Sequence, residues 1–330
     1  MGMGGERVLV VDVGGTRTRL ALALQEGGHV RLWDEHTVYS RQFSCFEAVL
    51  DHYKQQANGG WRCVMAGVSG PVADQMAQVT NLPWRIDAQA IQAGGYGPCR
   101  LLNDLEAVAW GVPALAQEEL FCLQEGRVAP GNRAVIAAGT GLGEAGMMFG
   151  GDCWRPFATE GGHADFAPRD AREVALWGEL AHRYGHVSWE RVVSGMALPE
   201  LYQFLCRYHN EPASVLADGA PSSMEPAAAL TAAAMDGDAL CETLLVWFAA
   251  LYGAEAGNLA LKILSRGGLY VAGGIAPKIL PFLQRPEFLE AFCAKGRMRP
   301  LLESMPVHVV LSDRVALYGL ALAANQAEIC

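Results

Sequence analysis

The sequence of 330 residues has no cluster of lysine and arginine, and its 35 acidic residues outnumber its 25 basic ones to give a net charge of −10. Proteins that follow a nucleic-acid backbone carry a basic patch, so we expect no nucleic-acid partner. The nine cysteines are scattered singly, without a C-x-x-C pair. An odd number of isolated cysteines fits neither a zinc site nor a disulfide framework, and it predicts a reducing environment such as the cytoplasm.

The sequence also lacks the marks of export and of membrane insertion. Its N-terminal residues lead into a strand pattern without the charged and apolar regions of a signal peptide. The most apolar run, 243–254, lies between Glu242 and Glu255. It is shorter than the ~20 residues of a membrane span, so we interpret it as a buried helix. With 51% hydrophobic residues, the chain can form one large or two ordinary folded domains.

The first glycine turn lacks the two common phosphate-binding fingerprints, G-x-G-x-x-G and G-x-x-x-x-G-K-[ST]. Here Gly14, Gly15 and Thr16 lie between two strand patterns, 7–13 and 19–24, so the order is strand, turn, strand. Glycines let backbone N–H groups approach phosphate oxygens, and the threonine adds a hydroxyl donor. The pattern therefore indicates a hairpin around phosphates, although an ordinary hairpin turn would have the same sequence.

Asp12 stands near the end of the first apolar strand. A carboxylate in such a place costs free energy unless it has a partner, and a hydrated Mg²⁺ ion is a suitable one. We therefore interpret Asp12 as a residue that contacts magnesium through water.

The same unit occurs a second time. Strand 133–138 is followed by Gly139, Thr140 and Gly141 within a turn that ends at 143, and a second strand follows at 144–149. Two such hairpins could hold one phosphate chain from both sides. Helices alternating with the strands predict an α/β protein with mixed sheets.

A third glycine turn, at Gly273, Gly274 and Ile275, follows a strand at 267–272. We expect a helix opened by Pro277 after it, with amides at the helix start that could lie against a nucleotide. Polar residues 210–226 predict an exposed loop, and 315–327 predict a last helix.

Asn103 and Asp104 come where an apolar segment stops and a helical pattern begins. We interpret Asp104 as the catalytic base. The competing interpretation is that either residue caps the helix, and Asn103 with Glu106 fits a capping box.

The loop at 156–168 is dense in functional groups, with Glu160, His163 and Asp165 around a pair of glycines. A zinc site would need H-E-x-x-H on a helix, which the glycines disfavour. A carboxylate and an imidazole suit a substrate rich in hydroxyl groups, and a polar surface loop is the alternative.

Taken together, these motifs resemble the bacterial glucokinases of the proteobacterial type, in the superfamily of hexokinases, actin and heat-shock ATPases. The resemblance covers nearly the whole chain, with the motifs in the family's order. It implies a two-domain actin-like (ribonuclease H-like) ATPase fold with mixed sheets, flanking helices and an interdomain cleft. Residues 1–112 and 314–330 would form the small α/β domain, and 113–313 the large one.

The resemblance also implies a role for each motif. The activity would be transfer of phosphate from ATP to the 6-hydroxyl of glucose, with Mg²⁺ as cofactor, in a cytoplasmic homodimer. The implied glucose ligands are Asn103, Asp104, Glu160, His163 and Glu190. The implied nucleotide motifs are Asp12 to Thr16, Gly139 to Gly143 and Gly273 to Ile275.

Arg17 departs from the family, which often has asparagine there. A kinase of another hexose or amino sugar would use the same parts. A sugar-sensing regulator on the same fold is the alternative from another class.

Overall fold

The computed structural model describes residues 7–26, 29–216 and 225–326. It divides into two compact units. The first comprises Met1–Glu119, Arg155–Ala158 and Ser312–Cys330, and the second comprises Leu120–Trp154 and Thr159–Leu311. The sequence-based domain limits, 1–112 with 314–330 and 113–313, stay a prediction. Within the expected loop at 210–226, the described residues 210–214 are exposed, and 217–224 lie outside the described residues.

The first unit contains a five-stranded mixed sheet and a small antiparallel sheet. Its strands are β1 (Val8–Val13), β2 (Arg17–Glu26), β3 (His29–Tyr39), β4 (Cys63–Val68), β5 (Val72–Ala73), β6 (Met76–Gln78), β7 (Arg85–Asp87) and β8 (Cys99–Asn103). Its first helices are α1 (Phe46–Gln56), α2 (Ala88–Ile91) and α3 (Asp104–Gly111). The large sheet has the order β3-β2-β1-β4-β8, with β1 antiparallel to β2 and parallel to β4. The small sheet has the order β5-β6-β7.

The second unit contains a six-stranded mixed sheet and most of the helices. The strands of this sheet are β9 (Leu120–Gln124), β10 (Arg133–Ala138), β11 (Leu142–Phe149), β12 (Trp154–Thr159), β13 (Leu269–Ala272) and β14 (Val307–Val310). Residues 155–158 of β12 are grouped with the first unit. The helices of the second unit are α4 (Ala171–Tyr184), α5 (Ala197–His209), α6 (Pro226–Met235), α7 (Ala239–Ile263), α8 (Leu280–Leu283), α9 (Pro286–Cys293) and α10 (Arg299–Glu303). The sheet order is β12-β11-β10-β13-β14-β9, which confirms the predicted mixed α/β class.

Helix α7 forms the centre of the second core. Asp238 caps its N-terminus by accepting a hydrogen bond from the Cys241 N–H group at 2.9 Å. The helix is long and apolar enough to cross a membrane, but 78% of its most apolar window is buried inside the protein. The predicted buried helix at 243–254 is therefore confirmed.

The last helix, α11 (Val315–Gln326), returns to the first unit and packs against α3. Its apolar residues, among them Leu317 and Leu320, cover one face of the sheet, while α1 covers the other. The two helices touch backbone to backbone, because a Cβ on Gly111 would overlap the Val315 carbonyl oxygen. This close contact fixes the helix that begins with Asp104.

Two expectations need correction. The helix predicted to open at Pro277 is wrong, because 273–279 form turns and α8 begins only at Leu280. The Ile275 N–H group donates to the Ala138 carbonyl and so ties this segment to the sheet. The predicted loop at 156–168 begins inside β12, which continues to Thr159.

Candidate active site

The first glycine turn joins β1 to β2, as predicted. The Gly14 N–H group donates to the Arg17 carbonyl at 3.0 Å. A Cβ on Gly15 would lie 2.8 Å from the Thr80 carbonyl oxygen, so this position has no room for a side chain. The Ser40 hydroxyl holds the turn from the side by donating to the Gly14 carbonyl at 2.7 Å. Thr16 is exposed at the tip, where its hydroxyl can reach a ligand.

Asp12 lies on β1 opposite Arg19 of β2, and it is partly buried. Burial raises the pKa of Asp12 to about 6, while Arg19 lowers it and Asp313 raises it. Arg19 forms an ion pair with Asp313 at 3.0 Å, so its charge is shared between two carboxylates. Asp12 is therefore a partly buried acid without full compensation, as the sequence pattern indicated.

The structure separates the two roles that were open for Asn103 and Asp104. Asn103 is the cap of α3, because its side-chain oxygen accepts hydrogen bonds from the N–H groups of Leu105 (2.9 Å) and Glu106 (3.3 Å). Its amide nitrogen donates to the Gly70 carbonyl at 3.2 Å. Asp104 is the first helical residue, so the cap is complete without it.

Asp104 has the electrostatic character of a general base. Burial and, to a smaller extent, the nearby charge of Asp12 together raise the pKa of Asp104 to about 7. Hydrogen bonds from the Leu105 N–H group and the Ser69 side chain act in the opposite direction. A carboxyl group with a pKa near neutrality can take up a proton under physiological conditions, which an ordinary aspartate does poorly.

The second glycine turn joins β10 to β11, and Glu190 holds it. Glu190 Oε2 accepts a hydrogen bond from the Leu142 N–H group at 3.0 Å and occupies the space that a Cβ on Gly141 would need. The Gly195 N–H group donates to the Gly139 carbonyl at 2.8 Å. The segment around Glu190 therefore packs against the second glycine turn, a relation that the sequence spacing did not reveal.

The third turn lies beside the second. Gly273 has φ +84°, and a Cβ there would overlap the Ala138 carbonyl oxygen, so the position requires glycine. The buried Tyr252 hydroxyl accepts from the Ala138 N–H group at 2.9 Å and lies 3.3 Å from the carbonyls of Ile136 and Ala272. Tyr252 thus ties the ends of β10 and β13 together, and sequence analysis missed it because α7 brings it from more than a hundred residues away.

Glu160 and His163 lie together on a short turn after β12. Their side chains are 64% and 60% exposed, and His163 Nε2 is 3.9 Å from Glu160 Oε2. Both are therefore accessible to a ligand. The loop rests on β11, because a Cβ on Gly162 would overlap the Leu142 carbonyl oxygen. Asp165 is instead paired with His186 at 2.9 Å.

Two groups of predicted residues thus emerge, one in each unit. The first contains Asp12, the turn at 14–16, Asn103 and Asp104. The second contains the turns at 139–143 and 273–275 with Glu160, His163 and Glu190. Within the described residues, no group of three or more His, Cys, Asp or Glu side chains could hold a metal ion.

The family model for glucokinase matches residues 9–327. The chain belongs to the glucokinase family. A protein named glucokinase from Trichormus variabilis is 40% identical over 338 residues, covering 96% of this chain and 98% of its own length. Another glucokinase, from Synechocystis sp., is 38% identical over 99% of this chain and 100% of its own length.

Solved structures agree with this membership. The crystal structure of a glucokinase from an Antarctic psychrotroph matches with a TM-score of 0.83 and 27% identity, covering 97% of this chain and 99% of the other. The actin-like ATPase fold of the glucokinase family is therefore confirmed. The roles of the individual site residues stay predictions.

Proposed function

We propose that the protein transfers the γ-phosphoryl group of ATP to the 6-hydroxyl of glucose, giving glucose 6-phosphate and ADP, the first step of glycolysis. The observation that carries the proposal is Asp104. It stands at the start of α3 without serving as the cap, and its pKa is raised to about 7. A phosphoryl-transfer enzyme needs a group in this state to accept the proton of the attacking hydroxyl.

Asn103 is proposed to bind the sugar beside Asp104. Its side-chain oxygen is committed to α3, and one N–H bond goes to the Gly70 carbonyl. An amide carries two N–H groups, so Asn103 can still donate one hydrogen bond to a sugar hydroxyl. Because both ends of the amide are held, this donor is fixed in direction before substrate binds.

Glu160 and His163 are proposed to bind other sugar hydroxyl groups, since both are exposed on one short turn. Glu190 is proposed to do so through its second carboxylate oxygen, because Oε2 is committed to the Leu142 N–H group. Glu190 would then link the sugar to the second glycine turn. A carboxylate can accept bonds at both oxygens, so the two roles are compatible.

The glycine turns are proposed to bind ATP. The backbone at Gly14, Gly15 and Thr16 and the backbone from Gly139 to Gly143 would hold the phosphates, and Gly273, Gly274 and Ile275 would contact the adenosine. Support comes from the steric crowding at Gly15 and Gly141, where a Cβ would meet the Thr80 carbonyl oxygen and Glu190 Oε2, so that neither position has room for a side chain of its own. Arg17 lies 5.7 Å from the Tyr39 ring and adds positive charge next to the first turn.

Mg²⁺ is proposed as the cofactor, with Asp12 holding it through water. The residues fit such an ion, because Asp12 and Asp104 offer hard oxygen donors. The two carboxyl groups are also near each other, since the charge of Asp12 raises the pKa of Asp104. When bound, Mg²⁺ neutralises phosphate charge and orients the nucleotide. A homodimer in the cytoplasm belongs to the same proposal, and no disulfide joins two of the described cysteines, as expected in a reducing compartment.

The test is a coupled assay of ADP release across glucose, mannose, fructose, galactose, glucosamine and N-acetylglucosamine. We expect the highest kcat/KM with glucose. A higher value with another sugar would replace the substrate while leaving the kinase assignment intact. Binding of glucose without ADP release, in the presence of ATP and Mg²⁺, would point to the sugar-sensing regulator instead.

A further inference from the structure

Two buried glutamates lie behind the turn that carries Glu160 and His163. Glu144 on β11 is 1% exposed, and Glu255 on α7 is fully buried. Their carboxyl groups lie close enough to interact, because each one changes the pKa of the other. Neither belongs to the glycine turns or to the proposed sugar ligands.

The contact between the two carboxyl groups requires a proton. Glu255 accepts hydrogen bonds from the Asn258 side chain at 2.7 Å and from Lys262 Nζ at 3.3 Å. Glu144 Oε1, in contrast, is buried and meets no donor within the described part of the chain. Since carboxylates only accept hydrogen bonds, Glu144 and Glu255 can bond only when one is protonated. Glu255 has both an amide donor and an ammonium group beside it, so the proton belongs on Glu144.

The charges around the pair support this assignment. From α7, Glu255 opposes ionisation of Glu144, while Lys262 favours it and the Tyr252 hydroxyl lies nearby. From the segment after α9, Lys295 faces Glu255 and binds the Asn258 side chain at 2.6 Å. Burial and the charge of Glu255 together raise the pKa of Glu144 to about 8. The raised pKa thus favours the protonated form of Glu144 in this pair.

The Glu144 carboxyl group also lies directly under the turn that carries Glu160 and His163. A Cβ on Gly161 would overlap Glu144 Oε2, so the loop backbone rests directly on this oxygen. The Thr159 hydroxyl strengthens the contact, because it donates to the Glu144 carbonyl at 3.1 Å and accepts from the Gly161 N–H group at 3.2 Å. Any change in the charge or position of the Glu144 carboxyl group thus acts on the turn between Glu160 and His163.

We infer that Glu144 is a positioning residue for the sugar, which as a neutral acid bonded to Glu255 supports the Gly161 turn and thereby fixes Glu160 and His163. The inference rests on the proposed function for its substrate. Loss of the proton places two negative charges in one buried contact, and their repulsion acts on the loop because the Gly161 backbone rests on Glu144 Oε2. Glucose binding therefore weakens at alkaline pH, while ATP binding does not.

The test compares the wild-type protein with Glu144→Gln and Glu144→Leu between pH 7 and pH 9.5. Glutamine keeps the shape and can donate to Glu255 but cannot ionise, whereas leucine removes the hydrogen bond. In the wild type, we expect the KM for glucose at pH 9.5 to exceed that at pH 7 by about fivefold or more. In Glu144→Gln this ratio stays near one, and in Glu144→Leu the KM for glucose is raised at both pH values. The KM for ATP follows none of these changes.

An alkaline rise in the KM for glucose that persists in Glu144→Gln would overturn the inference, as would a flat wild-type profile. Absence of glucose-dependent ADP release by the wild type at pH 7 would instead refute the proposed function. Deuterium uptake by a peptide covering 158–165 tests the positioning role without any substrate. At pH 9.0 we expect faster uptake in the wild type than in Glu144→Gln, and equal uptake would contradict the inference even if Glu144→Leu fails to fold.

Discussion

Among single residues, Asp104 and Asn103 are neighbours in sequence but differ in position on α3, because Asn103 caps the helix and Asp104 is its first residue. Because Asn103 caps α3, replacing Asp104 with asparagine leaves the cap intact. We predict that Asp104→Asn lowers kcat by about 10²–10⁴, since an amide cannot accept the hydroxyl proton. Its affinity for glucose should largely survive, because the amide oxygen still accepts a hydrogen bond. Steady-state kinetics and calorimetric titration would check both, and normal turnover in a folded variant would exclude Asp104 as the base.

The exposed residues Glu160 and His163 can be compared with a nearby exposed histidine. We predict that Glu160→Gln or His163→Ala raises the KM for glucose by at least about tenfold, the cost of losing a hydrogen bond that involves a charged group. The KM for ATP should change little. His186→Ala is the control, since His186 is also exposed but is paired with Asp165. An equal effect of all three substitutions would move the loop out of the sugar site.

At the scale of elements, Tyr252 connects α7 to the ends of two strands. Tyr252→Phe would leave the buried Ala138 N–H group without its partner and should lower the free energy of unfolding by about 1–3 kcal/mol. Urea denaturation would measure the loss. Tyr208→Phe is the control, because Tyr208 is 48% exposed and its hydroxyl can turn to water. Equal stability of the two variants would show that the Tyr252 hydroxyl does not hold these strands.

Features that neighbouring residues specify could be predicted from the sequence, whereas features that depend on distant contacts could not. The turns at Gly14 and Gly139 and the helix start at Asn103 were predictable, because each is specified by neighbouring residues in the chain. Tyr252 and Glu144 were not recognised, since their importance comes from contacts with residues that are distant in sequence. The helix expected at Pro277 failed because the Ile275 amide bonds to β10 instead of facing the start of a helix.

At the scale of the whole molecule, three carboxyl groups make stability depend on pH in an unusual direction. The pKa is raised to about 6 for Asp12, to about 7 for Asp104 and to about 8 for Glu144. The folded protein therefore keeps protons that the unfolded chain has already lost. The stability contributed by these groups is complete below the unfolded pKa values near 4 and is lost progressively as pH rises towards 8.

We predict that the free energy of unfolding falls by about 2–4 kcal/mol between pH 6 and pH 8.5. Denaturant titrations at several pH values would measure the slope. Asp104→Asn should reduce this slope, because asparagine does not titrate, and should make the variant more stable than the wild type at pH 8.5. A free energy of unfolding that rises with pH over this range would contradict the prediction.

The backbone contact between α3 and α11 has a consequence for the order of events during synthesis. Helix α11 begins about two hundred residues after α3 ends, so a ribosome adding ~5–20 residues per second completes it roughly 10–40 s later. Until then, Ala107 and Gly111 of α3 lack the close backbone contacts that they make with Gly319 and Val315 of α11. The nascent chain would therefore hold Asp104, the proposed proton acceptor, on a helix that is not yet packed in place. Catalytic competence would be acquired only after α11 has been synthesised and has packed against α3.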